Sequence, residues 1–159
     1  MTSAELDRIT GTAFRSFMRD WATGVAVVTS TQGAAPVGCT VNAFTSVSLD
    51  PPLLLVSLAR GSRTLAAITA SKVFGVNVLD DRQGELAKRF AVGTGDRFAG
   101  TPHRRELGVP VIEDVLAAVV CEVEWCVVGG DHVLVLGRPR WCSRERAGEP
   151  LVFFRGGWR

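Results

Sequence analysis

The sequence has few of the features that mark metalloproteins, secreted proteins and membrane proteins. It contains two histidines, and its four cysteines form neither a CxxC pair nor a zinc-finger spacing, so no metal site is expected. The N-terminal segment has acidic residues and no apolar signal-peptide core, and no apolar run reaches the roughly 18 residues of a membrane span. We therefore predict a cytoplasmic protein with reduced, mostly buried cysteines and no membrane contact.

An excess of charge is also lacking. The formal net charge is +2 over 159 residues, and Lys72 and Lys88 are the only lysines, so nearly all cations are arginines. A charge this small does not indicate nucleic acid or an anionic membrane as a partner. Arginine can bind phosphate through two parallel hydrogen bonds, so individual arginines remain candidates for binding a smaller anion.

The length predicts one domain, at 12–159, after a flexible N-terminal arm at 1–11. Alternating apolar residues and turn signals predict six or seven strands, mostly linked by hairpins, and about three helices. The segment 91–114 is rich in Gly, Pro and charge, and is predicted to be irregular. This pattern favours a mainly β chain, an antiparallel barrel with peripheral helices.

The first predicted helix has an apolar stripe. Thr12 is placed as its N-cap, and the spacing of the apolar residues predicts a helix packed on a core by one face, formed by Phe14, Phe17, Met18 and Trp21.

One predicted strand, at 40–49, has an unusual polar face. Its alternate positions are short hydroxyl or amide side chains and one aromatic ring: Thr40, Asn42, Phe44, Ser46 and Ser48. Short polar side chains allow a flat polar ligand such as a flavin to approach the strand closely. An ordinary strand with an exposed polar face is the alternative, and the residues alone leave both open.

The stretch ARGSRT, at 59–64, contains two arginines and two hydroxyl side chains where a helix is predicted to begin. The N-terminus of a helix attracts anions through its dipole and its free N–H groups. A plain helix cap is the alternative explanation of the same residues.

Common catalytic motifs are absent. The sequence has no P-loop, no GxSxG and no HExxH. The stretch GTGDRF, at 93–98, lacks the third glycine of a dinucleotide-binding fingerprint and does not join a strand to a helix, so it is set aside. An enzyme with this sequence would rely on a bound cofactor for its chemistry.

Five segments, in order and spacing, resemble the flavin reductase-like family. They are FRSFMRDWATGVAVVTS, GCTVNAFTSVSLDPPLLLVSLARGSRT, FGVNVLDDRQGELAKRFA, GVPVIEDVLAAVVCEVEWCVVGGDHVLVLGRP and PLVFFRGGWR. The resemblance implies an FMN-binding split β-barrel, antiparallel and Greek-key-like, and usually a homodimer with flavin near the subunit interface.

The resemblance also implies site residues. Those near the flavin ring and ribityl chain would be Thr40, Val41, Asn42, Thr45 and Ser46. Those near the phosphate would be Arg60, Ser62, Arg63 and Thr64. Arg89 and Phe90 would border the nucleotide site, and His132 would lie near the nicotinamide or the flavin edge as the catalytic candidate.

The activity that the resemblance implies is reduction of FAD or FMN by NADH, with NADPH as an alternative donor, and supply of reduced flavin to a partner flavin-dependent monooxygenase. Two other functions fit the same barrel: a flavin carrier without turnover, and another FMN-dependent oxidase. Addition of NADH to the flavin-loaded protein separates a reductase from a carrier, because a carrier leaves the flavin oxidised.

Overall fold

The computed structural model describes residues 9–159, so 1–8 of the predicted arm lie outside the described residues. Within that range the helices are α1 (Gly11–Met18), α2 (Arg63–Ser71) and α3 (Gly84–Val92), and a short 3₁₀ turn, Asp81–Gln83, precedes α3. Strands form most of the remaining chain, and all the strand pairs are antiparallel. The prediction of a mainly β chain with about three helices is confirmed.

The strands belong to one large and two small sheets. They are β1 (Thr23–Gly24), β2 (Ala26–Gln32), β3 (Ala35–Val41), β4 (Phe44–Leu49), β5 (Pro52–Ala59), β6 (Val73–Val78), β7 (His103–Glu106), β8 (Val109–Ile112), β9 (Ala117–Gly129), β10 (His132–Arg144), β11 (Val152–Phe154) and β12 (Gly157–Trp158). The large sheet has the order β3-β2-β6-β9-β10-β5-β4, while β1-β11-β12 and β7-β8 form the small ones.

The two edges of the large sheet lie next to each other. β3 and β4 are at opposite ends of the strand order, yet only Asn42 and Ala43 separate them along the chain. The amide of Ser57 on β5 donates to the carbonyl of Ala43 at 3.0 Å. The sheet must therefore curve until its edges meet, which is the arrangement of a split barrel.

The break at Asn42 corrects one prediction. The segment 40–49 is not a single strand, because β3 ends at Val41 and β4 begins at Phe44. Its alternate polar residues consequently do not form one continuous face. Thr40 belongs to one edge of the sheet and Ser46 to the other.

The segment 91–114 is not wholly irregular, contrary to the prediction. It contains the β7-β8 hairpin, whose Val109 and Val111 are completely buried against the large sheet. The side chain of Asn77 on β6 joins the hairpin to the sheet, since its Oδ1 accepts from the amide of Ile112 at 2.8 Å and its Nδ2 donates to the carbonyl of Val27 at 3.0 Å. The apolar run is short and flanked by Gly and Pro residues, so the sequence pattern did not predict a strand there.

α1 differs from its prediction in two respects. Its N-cap is Thr10, whose hydroxyl accepts from the amide of Ala13 at 3.2 Å, and not Thr12. None of its residues is buried, so the apolar stripe does not pack on the core of this chain. Periodicity shows that a helix has an apolar face but does not show what covers it.

The cysteines are all free, but only Cys121 is buried, and Cys126 and Cys142 are exposed, so the expectation of mostly buried thiols was wrong.

Within residues 9–159 no helix combines the length and apolar character needed to span a bilayer. The same residues contain no group of three or more side chains placed to ligate a metal.

Candidate functional site

A cleft of about 830 Å³ lies between β3, the segment from the end of β5 to the N-terminus of α2, the loop after α3 and the first residue of β10. Its volume falls in the range of about 300–1,000 Å³ that is typical of small-molecule sites. Four separate parts of the chain therefore meet around one space.

The α2 wall presents hydrogen-bond donors. Ser62 is the N-cap, and its hydroxyl accepts from the amide of Leu65 at 3.3 Å. Arg63 and Thr64 follow in the first turn, where the N–H groups have no partner within the helix, and both line the cleft. The helix dipole adds partial positive charge at the same end. This wall can bind a phosphate.

The β9-β10 turn is fixed beside that wall by strand pairing. His132 lies opposite Ala59 in the register of β10 and β5, and the amide of Arg60 donates to the carbonyl of Asp131 at 3.1 Å. Nδ1 of His132 lies 2.8 Å from Oδ1 of Asp131, and this hydrogen bond lowers the pKa of the Asp131 carboxyl. When the ring donates this bond in its neutral form, Nε2 is left as an acceptor.

The β3 wall contains Gly38, whose missing side chain lets the strand pack closely on α3 behind the cleft. A Cβ on Gly38 would lie 3.0 Å from the carbonyl oxygen of Val28 and 3.1 Å from the ring of Phe90. Two positions along, the Thr40 hydroxyl donates to the carbonyl of Ala87 at 2.6 Å, which ties β3 to α3.

Cys39 also lines this wall. Burial raises the pKa of its thiol, so the neutral form is favoured near neutral pH. The side chain is therefore not an activated nucleophile.

The fourth wall was not predicted. The loop 93–97 lines the cleft, together with Ala91 and Phe98. It corresponds to the GTGDRF stretch, which does not match a dinucleotide-binding fingerprint. Glycines directly after a helix, followed by Arg97, were the signal that could have marked it, since close backbone approach next to a ligand space needs small residues.

Seven of the predicted site residues line this one cleft: Thr40, Val41, Asn42, Ser62, Arg63, Thr64 and His132. They come from β3, the β3-β4 break, α2 and β10, so the fold brings together residues that are far apart in sequence. Val41 contributes little surface because it is 8% exposed and packs in the core.

Five predicted residues do not line the cleft. Thr45 and Ser46 are on β4, where Ser46 pairs with Leu54 and Thr45 with Leu55, so their side chains point to opposite faces. Arg60 is exposed outside the cleft.

The remaining two of these five, Arg89 and Phe90, make contacts within the fold and do not face the cleft. The Arg89 guanidinium donates to Oγ1 of Thr101 at 3.0 Å, and the Phe90 side chain is fully buried. Phe90 supports the cleft from behind Gly38 and does not contact its space.

A smaller cleft of about 320 Å³ adjoins the first one at Asn42, which lines both. Its walls are α1 with the residues that follow it, including Trp21, and the β11-β12 hairpin, including Phe153. Thr23 also lines it, and its hydroxyl is buried with no hydrogen-bond partner among the described residues.

The residues of the main cleft fit a flavin nucleotide. The α2 wall offers N–H, hydroxyl and guanidinium donors for a phosphate, and the cleft volume of about 830 Å³ leaves room for a flat ring. His132 and Asn42 supply polar groups elsewhere along the same cleft.

Known proteins are similar to this chain in sequence and in fold. The flavin reductase like domain matches residues 18–159. A probable flavin reductase from Rhizobium meliloti is 42% identical over 92% of this chain, which spans 47% of that protein. The reductase subunit HsaB of a flavin-dependent monooxygenase from Mycobacterium tuberculosis is 40% identical over 97% of this chain and 82% of its own length.

Among solved structures, an NADH:FAD oxidoreductase from Streptomyces globisporus, in complex with NAD and FAD fragments, superimposes with a TM-score of 0.87. It is 34% identical, and the match covers 93% of this chain and 90% of that one. The matched domain covers nearly the whole of the described chain, and the HsaB relative aligns over most of its own length. The chain therefore belongs to the flavin reductase-like family.

Proposed function

We propose that this protein uses NADH to reduce FMN or FAD in the main cleft and releases the reduced flavin to a partner flavin-dependent monooxygenase. One observation supports the proposal most: the N-terminus of α2, with its free donors, and a histidine hydrogen-bonded to Asp131 line the same cleft. The HsaB relative is the reductase subunit of such a monooxygenase. Because the reaction draws on NADH, we also propose that the protein works in the cytoplasm.

The α2 wall would bind the flavin phosphate. Arg63 and the hydroxyl of the N-cap Ser62 are donors at the start of the helix, where the dipole also favours an anion. Thr64 would contribute its backbone N–H, because its side chain is buried. The ring would lie toward β3 and the strand break, where Asn42 offers both a donor and an acceptor.

His132 would position the reactants. When bound, the flavin supplies the hydride-accepting chemistry, so the chain needs no nucleophile of its own. Asp131 fixes the imidazole ring, and Nε2 can accept a hydrogen bond from an amide of either nucleotide. Loss of His132 should therefore weaken nicotinamide binding or alignment more than flavin binding.

NADH is proposed in preference to NADPH. A 2′-phosphate is typically bound by an arginine beside the ribose, and among the described residues the arginines of the cleft are Arg63 and Arg97 alone. Arg97 already donates to two backbone carbonyls, and Arg63 is assigned to the flavin phosphate. The Streptomyces relative is likewise an NADH:FAD oxidoreductase.

A homodimer is proposed from α1. Phe17 is 72% exposed and Trp21, just after the helix, is 67% exposed. With Phe14 and Met18 they form an apolar stripe that the described residues leave uncovered. A stripe of this size on a soluble protein usually marks an interface. We expect a second copy to cover it, so Phe17→Asp should shift the mass measured by light scattering from two chains to one.

The phosphate assignment is tested by comparing FMN with riboflavin, which lacks the phosphate. Arg63→Met should raise the Kd for FMN about tenfold, at the lower limit for a charged hydrogen bond, and leave the riboflavin Kd unchanged. Arg140→Met is the control, because Arg140 is exposed on β10 and pairs with Glu122 outside the cleft. Equal losses of both ligands, or no loss of FMN, would contradict the assignment.

The reductase assignment is tested without oxygen. Addition of NADH to the flavin-loaded protein should reduce the flavin and so bleach its absorbance. A flavin that stays oxidised would favour the carrier, and peroxide formation from another substrate without NADH would favour the oxidase.

A further inference from the structure

One arginine connects the loop wall of the main cleft to the β3 wall. Arg97 is partly buried, and its Nε–H donates to the carbonyl of Gly93 at 2.9 Å. Its Nη1 donates to the carbonyl of Gly38 at 2.9 Å. The first bond closes the loop on itself, and the second reaches β3, 59 residues earlier in the chain.

Both acceptors are glycines that cannot carry a side chain without movement of their surroundings. A Cβ on Gly93 would lie 2.5 Å from the carbonyl oxygen of Arg89, and one on Gly38 would press on Val28 and Phe90. The backbone at each point is therefore held close to its neighbours. Two fixed carbonyls accept from one planar guanidinium, which suits the forked geometry of arginine and not that of lysine.

The chain around Arg97 is anchored as well. Phe98 packs edge-to-face on Phe90, with ring centroids 5.0 Å apart, and the hydroxyl of Thr101 donates to the carbonyl of Arg97 at 3.2 Å. The residues at 94–96, by contrast, are exposed and line the cleft. Their position relative to β3 depends on the Arg97 contacts.

We infer that Arg97 is a positioning residue, whose guanidinium holds the loop 93–96 against β3 and so sets the width of the cleft for the flavin. The inference rests on the proposed flavin-binding function. It assigns a role to a stretch that matches no common motif. A direct contact with the flavin phosphate, as proposed for Arg63, is the competing role.

The two roles differ in how they depend on the ligand's phosphate. If Arg97 sets the shape of the cleft, Arg97→Met should raise the Kd for riboflavin and for FMN by the same factor, on the order of tenfold for a lost pair of charged hydrogen bonds. Arg97→Lys should give a smaller increase for both, because one ammonium group cannot align with both carbonyls as well as a guanidinium does. Fluorescence quenching measures all these constants.

Arg105→Met is the matched control. Arg105 makes the same kind of double contact, from Nη1 to the carbonyl of Gly108 at 2.8 Å and from Nη2 to the carbonyl of Ala34 at 2.7 Å, but it lies outside the cleft. Both flavin constants should be unchanged in this variant. Circular dichroism verifies that each variant is folded, and if Arg97→Met does not fold, Arg97→Lys is compared with Arg105→Lys.

Each other outcome overturns the inference. A loss confined to FMN would show a direct phosphate contact, and unchanged constants would show that the loop needs no such support. Equal losses in the Arg105 variant would show a general effect of removing surface arginines. Wild-type protein that neither binds flavin nor oxidises NADH would refute the proposed function itself, and the inference with it.

Discussion

Substitution of Phe90 tests whether this residue stabilises the fold or contacts the flavin. It is completely buried, packs edge-to-face on Phe98 at 5.0 Å and lies behind Gly38. Truncation of a buried Phe to Ala costs about 3–5 kcal/mol, because apolar contacts are lost and a cavity remains. With an m-value of about 2 kcal/mol/M in urea, Phe90→Ala should lower the unfolding midpoint by about 1.5–2.5 M.

The more conservative Phe90→Leu makes the comparison with ligand binding possible. It retains most of the volume and should cost less than about 1.5 kcal/mol of unfolding free energy. Flavin affinity should be nearly unchanged, because the ring does not line the cleft. A stacking contact with the flavin would predict the reverse: a Kd raised about 2- to 12-fold, from 0.5–1.5 kcal/mol, with little loss of stability.

Urea unfolding followed by tryptophan fluorescence gives the midpoint, and flavin titration gives the Kd. Val92→Ala is the control on the same helix, since Val92 is exposed and its truncation should change the free energy of unfolding by less than about 0.5 kcal/mol. Weakened flavin binding in Phe90→Leu at an unchanged midpoint would refute the structural role.

Two further predictions concern titratable groups away from the cleft. The Asp80 carboxylate, only 2% exposed, accepts from Arg82 Nε at 2.7 Å, and this bond lowers the pKa of Asp80. Its stabilisation is therefore fully present above the unfolded pKa of about 3.9 and is lost as pH falls below it through the folded pKa. Asp80→Asn should lower the melting temperature near neutral pH, by an amount that shrinks in acid; a constant deficit across that range would contradict this. In native protein, alkylation read by mass spectrometry should modify Cys126 and Cys142 and spare Cys121, whose pKa burial raises to about 12. Labelling of Cys121 before unfolding would contradict that assignment.

Local sequence patterns predicted the elements of this fold well where one chemical signal dominated. Ser62 begins α2 as its N-cap, and Gly130 and Asp131 form the turn between β9 and β10 as expected. These elements depend on neighbouring residues, so their signals are complete within a short window. The patterns also favoured an antiparallel barrel and singled out Thr40, Asn42 and the ARGSRT stretch, and the resemblance added Val41 and His132 to the predicted residues that line the cleft.

Features that depend on contacts between distant parts of the chain could not be predicted from local sequence patterns. The polar alternation from Thr40 onward continues through the break at Asn42, because nothing in the local pattern shows that β3 and β4 lie at opposite edges of a curved sheet. The role of Arg97 depends on the carbonyl of Gly38, which no spacing rule connects to it. The apolar face of α1 is a third such feature, because no residue of the helix is buried and the local pattern does not show what the face contacts.

NADH consumption by the purified protein, measured with no flavin, with FMN and with FAD, tests the central claim most directly. We expect no turnover without flavin, turnover with at least one flavin, and a lower rate with NADPH than with NADH. Binding of flavin without oxidation of either nicotinamide nucleotide would contradict the reductase assignment and leave the carrier or the oxidase as the function of this barrel.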